Sequence, residues 1–427
     1  KLKKISYQKD LIERIFPSEN QIDTIDYLGL SFYNWSRLAL TMLLQYTKDH
    51  QKILLNKLRP PVIYNNNDVL FLGNRALDQL DVLPSPIKPT SLFQVINYTR
   101  STLGKRYLRD CLSRPLIDNE KIKTRNNIIE LIIKNKLGDE LGDMLSDVYD
   151  LERLNRRLEI ENMHPFELYH FYYSYRQVID IINFLPDNIK EKLELDTSTL
   201  NKLVELTKYL EKVFDLDYMT NLNFTNYKEE EKSFFNEGIH EELDDLQKKI
   251  NSSKDFMKNL VSVLEKLIDD KKYFKTNNKT TNLINLKYNE RDGHYLILTT
   301  RRFKLLNKKL SKMKKLDVGG FKLKISELDI RELPRSNNTK INCNKIKEIS
   351  SNLVVHQTNL ALKLQELFKK ECNKISNKYA DVYNYWTKKI GLIDFLNSGA
   401  VGSKKLGYCK PEIVESNLSF FNGENMR

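Results

Sequence analysis

The stretch GIHEELDDLQKKINSSKDFMKNLVSVLEKL, residues 238–267, carries the clearest pattern in the sequence. Its apolar residues are separated alternately by four and three positions, with one serine among them: Ile239, Leu243, Leu246, Ile250, Ser253, Met257, Leu260, Leu264 and Leu267. This is the spacing of the a and d positions of a heptad repeat, which line one face of a long helix. Acidic residues crowd its start, where a helix N-terminus favours negative charge. The stretch therefore predicts a helix of about four heptads.

A second apolar repeat lies downstream, with Ile346, Leu353, Leu360 and Leu367 spaced by seven. Neither Pro nor Gly occurs between Pro334 and Gly391, so one helix could extend over about 50 residues, or about 75 Å. Gly and Pro number only 14 and 11 in 427 residues, which favours long uninterrupted elements. We therefore predict a mainly α fold, with a helical core and two long antiparallel helices.

The segment between the two repeats changes period. Tyr288, Tyr295, Ile297 and Thr299 alternate around a turn near residues 291–293, which predicts a hairpin. Residues 301–315 are typical of a basic helix, and Gly319-Gly320 followed by residues 321–325 indicates a further strand. The sequence thus predicts a small mixed α/β insert between the long helices.

Positive charge is concentrated in this insert. The chain has a net charge of +13, and residues 271–340 contain 19 Lys/Arg against 6 Asp/Glu, which accounts for the whole excess. Concentrated positive charge is typical of a surface that binds a polyanion, although a solvated lysine-rich face has the same composition.

Composition excludes several other classes of protein. Mean hydropathy is −0.53 and no apolar run approaches the length of a membrane span. The first residues, KLKKI, form no signal peptide, and they suggest that the natural protein starts elsewhere. The four cysteines form no C-x-x-C pair, which favours a reducing, intracellular location over a zinc site or disulfide framework.

The sequence offers no catalytic or metal site. It has no G-x-x-x-x-G-K-[ST] motif, and residues 399–405 are interpreted as a loop or helix end. None of the six histidines lies four residues from another. The carboxylates of Glu241, Glu242, Asp244 and Asp245 could suggest a metal-dependent nuclease, but they fit the solvent side of the first heptad helix better.

Phosphate binding is the function that remains. The predicted backbone-contacting residues are Lys275, Lys287, Lys304, Lys308, Lys309, Arg335 and Lys340. A wider set adds Lys271, Lys272, Lys279, Lys312, Lys314 and Lys315. Lys304, Lys308 and Lys312 would repel one another on a helix face, and bound phosphates would neutralise them. Such contacts carry no base sequence information, so we predict salt-dependent binding without sequence specificity.

Several phrases resemble the MutS family of mismatch-repair proteins, and they occur in family order. SLFQVINYTRSTLGKRYLR (91–109) with Pro115-Leu116 and Arg125 resembles a core phrase of that family, as does DLERLNRR (150–157). GIHEELDDL (238–246) is similar to the entry to the family's clamp, and YNERDGHY (288–295) to the clamp hairpin. YCKPEI (408–413) resembles the segment that leads into the family's ATPase domain.

The resemblance implies a core with lever helices and an inserted clamp. It implies domain boundaries at residues 1–238 for the first part of the core and lever, 239–342 for the clamp, and 343–427 for the return helix. In the family the clamp grips the backbone of double-stranded DNA, and a dimer encircles it. Relative to the family pattern, Lys287 replaces a small residue and His294 an aromatic one.

No mismatch-reading domain precedes residue 60, and no Walker A motif is present. We therefore expect an interior piece of a larger protein that is not an enzyme by itself. The resemblance implies that the parent protein is a DNA-dependent ATPase using ATP and Mg²⁺, homodimeric through its ATPase domain.

A different class of function fits the same pattern. The two long helices could form a structural coiled-coil arm that binds an acidic protein partner and never contacts nucleic acid. A salt titration with DNA against a matched acidic polymer distinguishes the two hypotheses.

Overall fold

The computed structural model describes residues 2–17, 23–55, 57–62, 69–70, 72, 75–84, 90–224, 232–268, 283–289, 291–333, 336–414 and 420–423. Five of the residues predicted to contact phosphate lie outside these described residues: Lys271, Lys272, Lys275, Lys279 and Arg335. Residue contacts divide the chain into two compact units. The first unit comprises Lys1–Glu211 and Lys370–Arg427, and the second comprises Lys212–Lys369. The predicted domain boundaries stay a prediction beside this division.

The first unit is helical. Its helices are α1 (Ile5–Ile15), α2 (Thr24–Tyr27), α3 (Asn34–His50), α4 (Lys52–Leu55), α5 (Ala76–Gln79), α6 (Leu92–Ile96), α7 (Thr102–Ser113), α8 (Asn119–Lys134), α9 (Gly138–Ser146), α10 (Leu151–Glu159), α11 (Pro165–Phe184), α12 (Asp187–Lys192) and α13 (Thr197–Val213), which ends in the second unit.

The second unit contains two long helices and the β-structure. Its elements are α14 (Leu216–Met219), α15 (Glu241–Lys266), β1 (Asn285–Asn289), β2 (Gly293–Thr299), α16 (Thr300–Leu310), β3 (Lys315–Val318), β4 (Phe321–Lys324), a 3₁₀ turn (Ile325–Glu327), β5 (Leu328–Glu332), β6 (Asn338–Cys343) and the first part of α17 (Asn344–Leu406). The mainly α prediction with a small α/β insert is confirmed. Among the described residues, no helix is both long and apolar enough to span a membrane.

The first heptad repeat forms α15, and five of its apolar positions are buried, whereas Ile239, Leu246 and Leu267 are half-buried. Leu243, Ile250, Met257, Leu260 and Leu264 are at most 2% exposed. Near the start of α15 Glu242 forms an ion pair of 2.8 Å with Lys363 of α17, whereas Leu260 and Leu264 near its end share a core with Ile346. The two helices are therefore antiparallel, as predicted.

The second repeat follows the predicted register only in part. Ile346, Leu353 and Leu360 are buried, but Leu367 is half-buried and the buried positions are Leu364 and Phe368. A straight α-helix turns by about 20° per heptad relative to a strict seven-residue repeat, which moves the buried stripe onto the neighbouring residue.

Helix α17 has 63 residues and continues through three glycines. A Cβ atom at Gly399 would lie 2.8 Å from Cδ1 of Ile129, and one at Gly402 would lie 3.0 Å from Cδ2 of Tyr98. Because these positions face closely packed neighbours in the first unit, the missing side chains permit contact instead of breaking the helix. Residues 399–405 are thus the last turns of a helix.

A buried carboxylate holds the start of α7 in the first unit. Asp394 accepts hydrogen bonds from the backbone N–H groups of Arg100 (3.0 Å) and Ser101 (2.7 Å) and from the Ser101 hydroxyl (2.6 Å). Ser101 in turn accepts a bond from the Gly104 N–H. A Cβ atom at Gly104 would lie 2.1 Å from Oδ2 of Asp394, so this position requires glycine.

The four-stranded antiparallel sheet has the order β1-β2-β6-β5, and β3 and β4 form a separate antiparallel ribbon. One core underlies both sheets, the end of α15 and α16: its buried residues include Leu264, Leu296, Leu306, Leu316 and Ile341. The predicted hairpin is β1–β2, and the predicted strand after Gly320 is β4.

Candidate nucleic-acid interface

Helix α16 presents two chemically distinct faces. Phe303, Leu306 and Leu310 are buried at spacings of three and four residues, which fixes how the helix sits on the core. Lys304, Lys308 and Lys309 are exposed, and no described carboxylate forms an ion pair with any of them. The predicted basic helix is confirmed over residues 301–310, but residues 311–315 are not helical, so Lys312 lies beyond its end and Lys315 begins β3. Lys304 and Lys308 lie four residues apart on the helix, a spacing at which like charges repel.

The hairpin turn explains the motif YNERDG. The backbone N–H of Asp292 donates to Oδ1 of Asn289 at 2.7 Å, which closes the turn. Gly293 has φ +69°, and a Cβ atom there would lie 2.7 Å from Oγ of Ser350. The N–H of His294 donates to that same hydroxyl at 2.8 Å. Asn289 and Gly293 therefore shape the hairpin against α17.

Lys287 extends from the exposed face of this hairpin. It lies opposite Tyr295 in the β1–β2 register, so the two side chains share a face of the sheet. This face is opposite the one that buries Leu296 and Leu298. Lys287 is exposed, and no described carboxylate forms an ion pair with it.

Lys340 occupies the same face in a different environment. Its ammonium lies 2.6 Å from Oδ2 of Asp292 and 4.0 Å from the centroid of the Tyr295 ring, and only 14% of its side chain is exposed. The hydrogen bond from Lys340 lowers the pKa of Asp292 below its ordinary value. Lys340 thus joins β6 to the hairpin turn.

Four of the seven predicted contact residues therefore lie exposed in the second unit: Lys287, Lys304, Lys308 and Lys309. Lys340 is paired, and Lys275 and Arg335 lie outside the described residues. Sequence reasoning missed Lys322 and Lys324 on β4, which are also exposed. Their signal was the alternation Phe-Lys-Leu-Lys, which places both lysines on the outer face of a strand.

The acidic residues weighed as a nuclease site are spread over the first turns of α15. Glu242 pairs with Lys363, and Asp244 accepts a bond from the Gly238 N–H at 2.9 Å, so both have structural partners. In the part of the chain that the structure describes, no cluster of three or more His, Cys, Asp or Glu side chains could hold a metal ion.

A family model described as MutS domain III matches residues 75–400. The chain is 32% identical over 450 residues to a putative DNA mismatch repair protein, mutS homolog L359, of Acanthamoeba polyphaga mimivirus, covering 99% of this chain and 39% of that protein.

Two bacterial proteins named DNA mismatch repair protein MutS are also similar. That of Clostridioides difficile is 26% identical over 91% of this chain and 38% of its own length, and that of Caldanaerobacter subterraneus is 24% identical over 96% and 43%. The chain thus spans about two fifths of the length of these relatives.

Proposed function

The chain belongs to the MutS family of DNA mismatch-repair proteins, and we propose that its second unit binds the phosphate backbone of double-stranded DNA without reading the base sequence. The proposed contacts are Lys287, Lys304, Lys308 and Lys309, with Lys275 and Arg335 retained from the sequence. We leave Lys340 out because its side chain is only 14% exposed and its ammonium is already paired with Asp292.

The observation that carries the proposal is the exposed face of α16. Three lysines without described ion-pair partners lie on a short helix whose opposite face is fixed in the core. Mutual repulsion makes such an arrangement unfavourable in the free protein, and phosphates would relieve it. Side chains that contact only phosphates position a duplex and carry no sequence information.

The test is a triple substitution, Lys304→Glu, Lys308→Glu and Lys309→Glu. Duplex affinity is measured by fluorescence anisotropy between 50 and 300 mM salt. Because each lost phosphate contact changes the salt dependence by about one unit, the slope of log K against log salt should fall by about three. An unchanged slope and affinity would refute the assignment.

A matched control makes the same change of charge elsewhere. Lys192, Lys202 and Lys208 are exposed on α12 and α13 of the first unit, and their triple replacement by Glu should leave binding nearly unchanged. Polyglutamate of equal charge serves as competitor. Preference for polyglutamate over DNA would favour the alternative of an acidic protein partner.

In the parent protein, we propose that DNA binding at the second unit is relayed along α17 to an ATPase domain, and that the parent is a homodimer. What supports a mechanical relay is that α17 runs without interruption from Asn344, next to β6, to Leu406. Since the 427 residues contain no phosphate-binding loop motif, we place ATP and Mg²⁺ outside them.

A further inference from the structure

The first unit contains a cavity between the end of α8, the start of α9 and the last turns of α17. Ile132 and Ala400 line it and are each 2% exposed, and they form an apolar floor with the half-buried Val401. Ile133, which is 40% exposed, continues the apolar wall to the surface. An apolar body that enters this cavity would therefore lose its contact with water.

The volume of the cavity limits what can occupy it. It measures about 300 Å³, and a protein cavity of about half that volume, lined by aliphatic and aromatic side chains, takes up benzene. The cavity therefore has room for two fused rings or an alkyl chain of similar volume. A helix, with a diameter of about 10–12 Å including its side chains, is too large to be enclosed there. A small molecule fits the cavity better than an element of a protein partner does.

Three lysines surround the opening of the cavity. Lys136 lies between α8 and α9, and Lys404 and Lys405 lie in the last turn of α17; all three are exposed. No described carboxylate forms an ion pair with any of them. The ammonium of Lys405 lies 4.9 Å from the centroid of the Tyr98 ring, a contact that leaves its N–H groups able to donate.

The charge around the opening favours an anion. Of the described residues that line the cavity, Asp139 is the one with a carboxylate, and it lies in the first turn of α9, where a helix N-terminus favours negative charge. The side chain of the N-cap residue, Leu137, forms no hydrogen bond with the N–H groups of that turn. Three positive charges therefore face one negative charge at the mouth of an apolar cavity.

We propose that this cavity binds a small amphipathic anion, with an apolar body of about the size of two fused rings and one carboxylate or sulfonate group. The apolar body lies on the floor formed by α8 and α17, and the lysines at the opening donate charge-assisted hydrogen bonds to the anionic group. Mainly apolar cavities of about 300–1,000 Å³ with a few convergent polar groups are typical sites for small molecules. The site lies in the first unit and does not depend on DNA binding by the second.

The test uses the whole 427-residue chain and two probes of similar size, naphthoate and the uncharged naphthalenemethanol. In isothermal titration calorimetry, naphthoate should bind the wild type about tenfold more tightly, because hydrogen bonds to an ionised group are roughly twice as strong as neutral ones. The triple variant Lys136→Gln, Lys404→Gln and Lys405→Gln should lose this preference and keep its affinity for naphthalenemethanol. That retained affinity also shows that the variant is folded.

A matched control removes the same charge elsewhere. Lys192, Lys202 and Lys208 are exposed on α12 and α13, and their triple replacement by Gln should leave binding of both probes unchanged. Equal binding of the two probes by the wild type, or an unchanged preference in the variant at the cavity, would overturn the assignment of an anion. The site itself is overturned if naphthoate shows no saturable binding up to about 1 mM.

Two further variants fill the cavity. Val401→Phe should lower the affinity for both probes at least about tenfold without lowering the urea midpoint, because the added ring occupies empty space and gains contacts. If the midpoint falls, Ala400→Val is the smaller replacement, with the same loss of binding expected. Wild-type affinity in a folded filling variant would place the probes elsewhere and overturn the inference. Tighter binding of N-acetyltryptophanamide than of naphthoate would overturn it in favour of an apolar side chain of a protein partner.

Discussion

The ammonium of Lys340 and the carboxylate of Asp292 form the most enclosed ion pair on the exposed face of the described sheet. The two residues are 48 positions apart in the sequence. Asp292 also accepts a weaker bond of 3.3 Å from Nδ2 of Asn289. The pair therefore ties β6 to the turn that presents Lys287. A lysine in a basic segment can thus stabilise the fold instead of contacting a ligand.

This pair predicts a pH dependence of stability. The hydrogen bond from Lys340 lowers the pKa of Asp292 below 3.8 in the folded state, so the pair stabilises the fold above that pH and its contribution is lost as pH falls through the lowered value. We expect Asp292→Asn to lower the urea midpoint at pH 6, with the difference from wild type shrinking below about pH 3.8. A difference that persists unchanged to pH 2.5 would contradict this explanation. Asp255→Asn, exposed on α15, is the control.

Single residues also show where sequence reasoning stops. The phrase around Gly104 could be matched to a family, but its physical reason is Asp394, which lies 290 positions away and approaches too closely for any Cβ atom. Burial raises the pKa of Asp394, and the bonds from Ser101 and Arg100 oppose that rise. No local pattern pairs these residues, so their contact could be found only in three dimensions.

At the scale of elements, prediction succeeded where an element carries a periodic pattern in its own sequence. It failed where an element depends on contacts with residues that are distant in the sequence. The repeats in α15 and α17, the hairpin and the basic helix each carry their pattern within a few turns or strands. Strands β5 and β6 were not predicted. The formation of β6 depends on its pairing with β2, which is distant in the sequence and places Ile297 opposite Lys340. The extension of α17 beyond Gly391 was missed since glycine normally weakens a helix.

The heptad register of α17 can be tested at one turn. Leu353 is 3% exposed, whereas Val355, two residues on, is 52% exposed. We expect Leu353→Ala to lower the free energy of unfolding by about 2–5 kcal/mol, because a buried cavity adds to the lost burial. Val355→Ala on the opposite face should change it by less than about 0.5 kcal/mol. Equal effects in urea denaturation would show that this register of α17 is incorrect.

At the scale of the whole molecule, the sequence predicted which segment holds the excess positive charge. It did not predict which lysines of that segment are exposed and which are paired. The whole net excess of +13 lies within residues 271–340, and every described residue of that segment belongs to the second unit. The sequence could not separate the exposed lysines of α16 from the paired Lys340, because the partner, Asp292, becomes a neighbour only through the β2–β6 pairing.

The placement of these charges leads to a prediction about specificity. Contacts to base edges discriminate by about 1–3 kcal/mol per base pair, whereas contacts to phosphates are the same for every sequence. The described candidates are lysines on an exposed helix face and on strands, so AT-rich and GC-rich duplexes of equal length should bind with affinities within about threefold of each other. With about six phosphates neutralised, affinity for both should fall about 10³-fold between 50 and 200 mM salt. Competition anisotropy measures both quantities, and a preference above tenfold for one duplex would show that the second unit reads bases or DNA shape as well as charge.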